Sequence, residues 1–280
     1  MVESPLFQFG VVADVQYCDC EPGLAMNRYY RRSVEKLRDC LATLSQYDLR
    51  FILDVGDLID RDFQSFDTIL PVYQSAKAPV HRTLGNHDYA VNVVRLDEIP
   101  QRLGMPSRGY YKVDYDTWRL IVLNGNEVSL FGTRAGTPLR QQAEDTLADL
   151  QQRQAPQAKE WNGGVSQEQL TWLEEQLDEA QRDRQSVLVA GHYPLYPAGD
   201  LNLWNDIAVI DILERYPTVV AYFNGHHHDG NYGHQNGIHY VNFKGMVDTE
   251  HENTFAVVEV YPDRLEVKGF GREDSRTLLR

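Results

Sequence analysis

Five short polar motifs are spaced along this chain: Asp14-Val15-Gln16, Gly56-Asp57-Leu58-Ile59-Asp60, Gly85-Asn86-His87-Asp88, Gly191-His192 and Gly225-His226-His227-His228. Each follows a short apolar run of the kind a buried strand needs. Each therefore sets a carboxylate, amide or imidazole at a strand end, where open α/β sheets build their sites. Pooled, Asp14, Gln16, Asp57, Asn86, His192, His226 and His228 offer enough donors for two divalent cations. A carboxylate has two oxygens and can bridge two metals. Two adjacent cations stabilise hydroxide and neutralise phosphoryl oxygens, which is the chemistry of splitting phosphate esters and anhydrides.

The donor types narrow the metal. Imidazoles suit first-row metals, whereas carboxylate, amide and carbonyl oxygens suit harder ions. The mixed set points to Mn(II) or Fe(II), with Mg(II) as the alternative. It does not suggest the Cys-rich sites of structural zinc. His87 follows Asn86 and is not needed as a ligand, so it is a candidate proton donor to a leaving oxygen, held by Asp88 or Asp60. Singly, each motif is weak. Asp14 alone reads as a turn residue, and an amide such as Gln16 is a weak ligand. His227 is expected to pack or meet solvent, and His81, His234, His239 and His251 to be structural or exposed. The ordered set of five carries the argument.

The elements that position the motifs follow from periodicity. Residues 7–13 (FQFGVVA), 51–55 (FILDV), 79–84, 186–190 and 218–223 read as strands that run into the motifs. In extended segments alternate residues share a side, which would pair Asp14 with Gln16 and His226 with His228, with His227 pointing away. Tyr30, Val34, Leu37, Leu41 and Leu44 line one face of a helix within 26–45. Helices are also expected at 66–76, 91–103 and 204–215, and a hairpin at 110–123 around Asp116-Thr117. Ser166-x-x-Gln169 is a capping box, with Val165 and Leu170 as a hydrophobic staple, opening a helix that runs to about Arg182. Residues 238–243, 254–260 and 265–270 read as an antiparallel meander. Residues 125–164, rich in Gln, Ala, Gly and Arg, read as an insertion with a weak helical pattern near 139–154; a lid and a solvated surface helix are both open for it. Two sheets packed face to face with helices outside would satisfy this order.

With 280 residues, 42% hydrophobic and 24% charged, the chain fits one large globular domain, or at most two. We take it as a single domain over 1–280. A net charge of −14 repels nucleic-acid backbones, so general nucleic-acid binding is not expected. A small phosphate substrate is compatible with that charge, because two bound dications dominate their own site. No apolar run reaches membrane-spanning length. Met1 to Phe9 holds Glu3 and no basic residue, unlike the charged start of a signal peptide. Cys18, Cys20 and Cys40 are too few for a disulfide framework and are expected as reduced thiols, which places the protein in the cytoplasm. Arg28, Arg31 and Arg32 lie near the first motif, and either a phosphate contact or a solvated helix face is open to them.

The order D-x-[HQ], GDxxD, GNHD, GH and GHxH resembles the calcineurin-like metallophosphoesterases, from about residue 7 to 245. The resemblance implies an α/β fold, a four-layer αββα sandwich with a dinuclear metal site at strand ends. It assigns Asp14, Gln16, Asp57 and His228 to one metal, and Asp57, Asn86, His192 and His226 to the other, with Asp57 and a hydroxide as bridges. Gln16 stands where the usual motif has His. Gln16-Tyr17, Arg28-Tyr29-Tyr30-Arg31-Arg32-Ser33, Trp161-Asn162-Gly163-Gly164, residues 191–195 (GHYPL) and 225–232 (GHHHDGNY) are similar to the Mn-dependent ADP-ribose/CDP-alcohol diphosphatases. Asp60 stands where the purple acid phosphatases have a Tyr ligand, which speaks against a purple iron site. The resemblance implies a small nucleotide or phosphate-ester substrate. The alternatives are a phosphodiesterase or monoesterase of the same fold, or a non-catalytic scaffold such as the retromer subunit.

Overall fold

The computed structural model describes residues 4–280; Met1 to Glu3, part of the segment weighed above as a leader, lie outside the described residues. In chain order the elements are β1 (Phe7–Val12), α1 (Ser33–Leu44), β2 (Leu49–Asp54), α2 (Ser65–Ile69), β3 (Val80–Arg82), α3 (Ile99–Arg102), β4 (Tyr111–Tyr115) and β5 (Trp118–Val122). Then come β6 (Val128–Ser129), α4 (Pro138–Gln152), β7 (Gly163–Gly164), α5 (Gln167–Arg182), β8 (Ser186–Ala190), α6 (Asp206–Leu213), β9 (Val219–Asn224), β10 (Asn231–Gln235), β11 (Ile238–Asn242), β12 (Thr254–Val260), β13 (Arg264–Gly271) and β14 (Arg276–Leu279).

Two six-stranded sheets form, in the orders β14-β13-β12-β1-β2-β3 and β10-β11-β9-β8-β5-β4. β1, β2 and β3 run parallel in the first sheet, and β5, β8, β9 and β11 in the second. Strand alternation sorts the side chains. Phe9, Val11, Phe51 and Leu53 of the first sheet meet Leu120, Val122, Leu188 and Phe223 of the second in one buried layer. Val12 and Ile52 turn the other way, under Leu37, Cys40, Leu41 and Leu44 of α1. On the far side, Leu170, Leu173 and Leu177 of α5 and Val209 and Leu213 of α6 cover Ile121, Val187, Val189 and Tyr222. The result is the expected four-layer helix–sheet–sheet–helix sandwich.

Several expectations need correction. The helix at 66–76 is a short α2 that continues as 3-10 turns over Leu70–Ser75, and the one at 91–103 is 3-10 over Val93–Glu98 before α3. Pro71 near the start of one 3-10 run and Pro100 inside α3 remove backbone donors that longer helices would need. The meander is split. β11 pairs parallel with β9 in the second sheet, whereas β12 and β13 lie in the first. The chain crosses between sheets over residues 243–253, a loop that returns beside the site. Ser166 caps α5 by accepting from the Gln169 amide, but the Gln169 side chain turns to Asn124 and Glu127 instead of closing the box. Residues 125–164 fold onto the second sheet's flank. β6 pairs with β7, and Ala143, Leu147 and Leu150 of α4 bury against Val128 and Trp204. Cys18 and Cys20, expected as thiols, are joined as a disulfide on one turn beside Tyr30 and Val247, because two residues of separation bring them within reach; Cys40 is free and buried. Among the described residues no helix is long and apolar enough to cross a membrane.

Candidate metal centre

All five motifs leave the carboxyl ends of parallel strands: β1, β2 and β3 in one sheet, β8 and β9 in the other. They converge at the top of the seam between the sheets. The pairing of Asp14 with Gln16, and of His226 with His228, does not come from pleat alternation. Asp14 (φ 49), Gln16 (φ 41), Asp57 (φ 56) and His226 (φ 69) all occupy left-handed backbone. That conformation is unfavourable for residues with a Cβ, and it concentrates here as strain does at functional sites. Tight turns of this kind let short segments aim several side chains at one point. Gly85 makes the turns possible, since a Cβ there would overlap the Asp57 carboxylate.

Asp57 stands at the centre, fully buried. Its Oδ1 accepts from the His87 amide (2.8 Å), and its Oδ2 lies 3.1 Å from Gln16 Nε2 and 3.2 Å from His192 Nε2. Burial opposes its charge, but His192 and His87 outweigh that and hold the carboxyl well below the ordinary range. Asp14 is different. Burial lifts its carboxyl to about 6 although His228 opposes it. Its two oxygens accept from the His226 amide, each at 3.2 Å, and His228 Nε2 lies 3.6 Å away. Gln16 Nε2 is 3.2 Å from His228 Nε2, so the amide sits between a carboxylate and an imidazole. Ligand atoms of Asp57, His192 and His226 all lie within 4.8 Å of one another.

Each imidazole is fixed from behind. His192 Nδ1 is 2.8 Å from the Val55 carbonyl, so that nitrogen carries a proton, and Nε2, turned to Asp57, is the nitrogen left for a cation once its own proton is displaced. Burial lowers the His192 pKa, but Asp57 outweighs it and raises the ring to about 9. His228 Nδ1 is 2.9 Å from Asp248 Oδ1, which likewise frees Nε2. His87 Nδ1 faces the Asp60 backbone carbonyl (3.0 Å) and carboxylate (3.3 Å). Asp88, the other candidate holder of His87, does something else. Its buried carboxylate accepts from the amides of Gly85, Asp57, Leu58 and Ile59 at 2.9–3.3 Å, tying the second and third motifs together. Four converging backbone donors outcompete a single imidazole for those oxygens.

A fit to cations can be tested on the polar atoms left without partners. A buried polar atom without a partner is costly and calls for an explanation. Gln16 Oε1, Asn86 Oδ1 and His192 Nε2 are three such atoms, and all belong to the converging set. The two amide oxygens are lone-pair acceptors, and His192 Nε2 becomes one when its proton leaves. Cations would satisfy them together, and the donor set of carboxylate, amide oxygen and imidazole suits Mn(II).

A cavity of about 560 Å³ opens above these residues, lined by Gln16, Asp57, Asn86, His87, His226 and His228 and, at its mouth, by Met26, Phe131, Trp161 and Leu201. His227 and Asp229 also line it. The three arginines separate, and Arg28 alone faces the cavity. It lines the cavity with Nη2 3.4 Å from His228 Nε2, whereas Arg31 pairs with Asp19 and Glu21 and Arg32 with Glu35 at the surface. His81, His234 and His239 engage Tyr115, each other and the Leu279 carbonyl away from the cavity, and His251 is exposed beside Glu250. Asp248 was not foreseen, and Asn162 and Tyr193 stood in motifs of the sequence but were given no role. The Tyr193 ring packs edge-on against both His192 and His226 while its hydroxyl donates to Asn126.

Comparison with known proteins agrees with this geometry. The family model for calcineurin-like phosphoesterases matches residues 7–230. The chain is 32% identical to the manganese-dependent ADP-ribose/CDP-alcohol diphosphatase of Mus musculus, over 98% of this chain and 94% of the relative. It is 31% identical to that of Homo sapiens, over 98% and 92%. Among solved structures, a dimetal phosphatase from Danio rerio superposes with a TM-score of 0.88 at 25% identity, covering 99% of both chains.

Proposed function

Since the chain belongs to the calcineurin-like phosphoesterase family, we propose that it is a metal-dependent hydrolase of the pyrophosphate link in ADP-ribose, CDP-alcohols or similar nucleoside diphosphate compounds. The observation that carries the reading is that Gln16 Oε1 and Asn86 Oδ1, two buried amide oxygens without partners, belong to residues that line one cavity with the buried Asp57, whose carboxylate His192 Nε2 faces at 3.2 Å. One cation would be held by Asp14, Gln16, Asp57 and His228, and the other by Asp57, Asn86, His192 and His226, with Mn(II) as the metal. When bound, the pair would lower the pKa of a coordinated water and neutralise the phosphoryl oxygens.

The chain's own groups do the rest. His87 has Nδ1 tied to Asp60, so Nε2 is the nitrogen free to give a proton to the leaving oxygen. Arg28 is placed to meet the second phosphate, where a guanidinium's fork suits paired oxygens. Met26, Phe131, Trp161 and Leu201 form an apolar mouth for the organic part of the substrate and keep bulk water from the reacting centre. Residues 125–164 act in this reading as an ordered insertion that supplies part of that mouth.

A Mn(II) activity panel over ADP-ribose, CDP-choline, cyclic AMP and simple monoesters tests the assignment. Turnover of the first two well above the others is expected. Preference for cyclic AMP or monoesters would make it an esterase of the same fold, and no turnover with metal bound would make it a scaffold.

A further inference from the structure

We infer that Asn162 is a positioning residue that fixes the tautomer of His226 and so makes the 125–164 segment part of the metal centre. The inference rests on the proposed metal sites. Its geometry lies in the amide itself. Asn162 is fully buried. Its Nδ2 lies 3.0 Å from the Gln157 carbonyl and 2.8 Å from the Asp200 carbonyl. Carbonyl oxygens only accept, so both amide protons are committed and the amide cannot be turned over. Oδ1 then faces His226 Nε2 at 3.0 Å. An amide oxygen also only accepts, so Nε2 must carry the proton. Nδ1 of His226 is left as the bare nitrogen, able to bind a cation.

The chain of constraints runs backward through three segments. Gln157 belongs to the turn after α4, and Asp200 to the loop that carries Leu201. Leu201 and Trp161, the residues next to Asp200 and Asn162, both line the cavity. One buried amide therefore locks two mouth segments and one ring. A histidine presents a metal-binding nitrogen without a tautomer cost only if its other nitrogen has an acceptor. Partners of this type are usually worth 10–100-fold in metal affinity. His192 and His228 take theirs from the β2 end and from the 243–253 crossing. His226 takes its partner from a segment that belongs to neither main sheet.

The test uses the full chain. Long-range ¹H–¹⁵N NMR on the metal-free and Mg(II)-loaded wild-type protein, with His226 assigned by comparison with His226→Gln, should show a proton on Nε2 and none on Nδ1. A proton on Nδ1 would overturn the inference without any Asn162 variant. Mn(II) titration followed by EPR supplies the second readout. Asn162→Ala should weaken one of two sites by about 10–100-fold and leave the other unchanged. Asn162→Asp keeps an acceptor for Nε2 but loses both protons given to the Gln157 and Asp200 carbonyls, so it should recover only part of that loss. Asn202→Ala removes an amide that anchors the same loop through the Leu195 and Pro197 carbonyls without touching His226, and should leave both sites intact. Wild-type affinities in Asn162→Ala, or equal losses in Asn202→Ala, would also overturn it. A wild-type protein that binds fewer than two Mn(II) would instead defeat the metal assignment on which it rests.

Discussion

Asp248 Oδ1 lies 2.9 Å from His228 Nδ1, although Asp248 sits in the crossing between the sheets and β10 and β11 separate it from His228 along the chain. The loop that delivers Asp248 is held from below by one ammonium. Lys36 of α1 is buried, and its Nζ donates to the carbonyls of Met246, Asp248 and Thr249 at 2.6–2.8 Å. Arg272 adds donors to the Gly245 and Asp248 carbonyls. A surface helix thereby sets the orientation of a metal-facing imidazole through two relays.

Replacing Lys36 by Met keeps the length of the side chain and removes all three donors. The carbonyls are then left short of partners, at a cost of about 1–3 kcal/mol. Urea unfolding should show a lower midpoint with an unchanged m-value. Lys36→Arg should recover part of the loss. A Met variant as stable as wild type would mean that the carbonyls find water instead.

Asp248→Ala removes the acceptor behind His228 and lets the ring turn or change tautomer. Mn(II) affinity at one site should fall by roughly 10–100-fold, and urea unfolding reads any loss of stability separately, since the Asp248 side chain is only 13% exposed. Calorimetric titration of metal-free protein checks this. Two unaltered binding events would remove Asp248 from the account.

Asp57→Asn removes the one charge shared by both proposed sites. It keeps the acceptor for the His87 amide, so the turn should survive. Metal content should drop below two per chain, and activity should fall by several powers of ten, in line with loss of the groups that organise a two-metal centre. Metal analysis of the purified variant beside its turnover separates the two effects. An active variant with two metals would refute the bridge.

His87→Ala should lower kcat by roughly 10²–10⁴-fold, the usual range for loss of a general acid, with Mn(II) stoichiometry unchanged. Asp60→Asn should cost less. The Asp60 backbone carbonyl, 3.0 Å from Nδ1, still holds the ring when the carboxylate is gone. Substrates with a better leaving group should be less sensitive to His87→Ala. Loss of a metal from this variant would reassign the residue as a ligand.

The motifs were legible because their information is local: a strand, a glycine, then a polar side chain. Their convergence was legible too, since parallel strands share a carboxyl end. What sequence reading missed depends on contacts between distant segments. Asp88 resembles a partner for the adjacent His87, yet four amides from two separate turns claim it. Asn162 stood out in a short motif, but nothing local says that its oxygen meets a ring 64 residues away. Asp248 lies in the crossing that was misread as a meander turn. β10 (NYGHQ) and β14 (RTLL) were unseen because edge strands need little apolar alternation. The left-handed φ angles at Asp14, Gln16, Asp57 and His226 could not be anticipated either, since such backbone normally selects glycine.

Gln16 offers the sharpest test of how ligand chemistry sets metal choice. Its amide nitrogen lies 3.1 Å from Asp57 Oδ2 and 3.2 Å from His228 Nε2, while its oxygen is buried without a partner and free for a cation. An amide gives that cation a hard, neutral oxygen, whereas an imidazole would give nitrogen. The site should therefore hold Mn(II) or Mg(II) loosely, and activity should return after chelation only with added Mn(II) or high Mg(II). Gln16→His should bind its metal more tightly and move the preference along the series toward ions that favour nitrogen, such as Co(II) or Zn(II). The imidazole is rigid, and φ at this position is 41°, so the ring has to reach the same point from a strained backbone. A modest loss of stability is expected beside the gain in affinity. Parallel titrations of the two metal-free proteins with Mg(II), Mn(II), Co(II) and Zn(II), each read by calorimetry and by turnover of ADP-ribose and of a monoester, decide the matter. Identical metal preference in both proteins would show that Gln16 orients Asp57 and His228 by hydrogen bonding and never binds the cation itself.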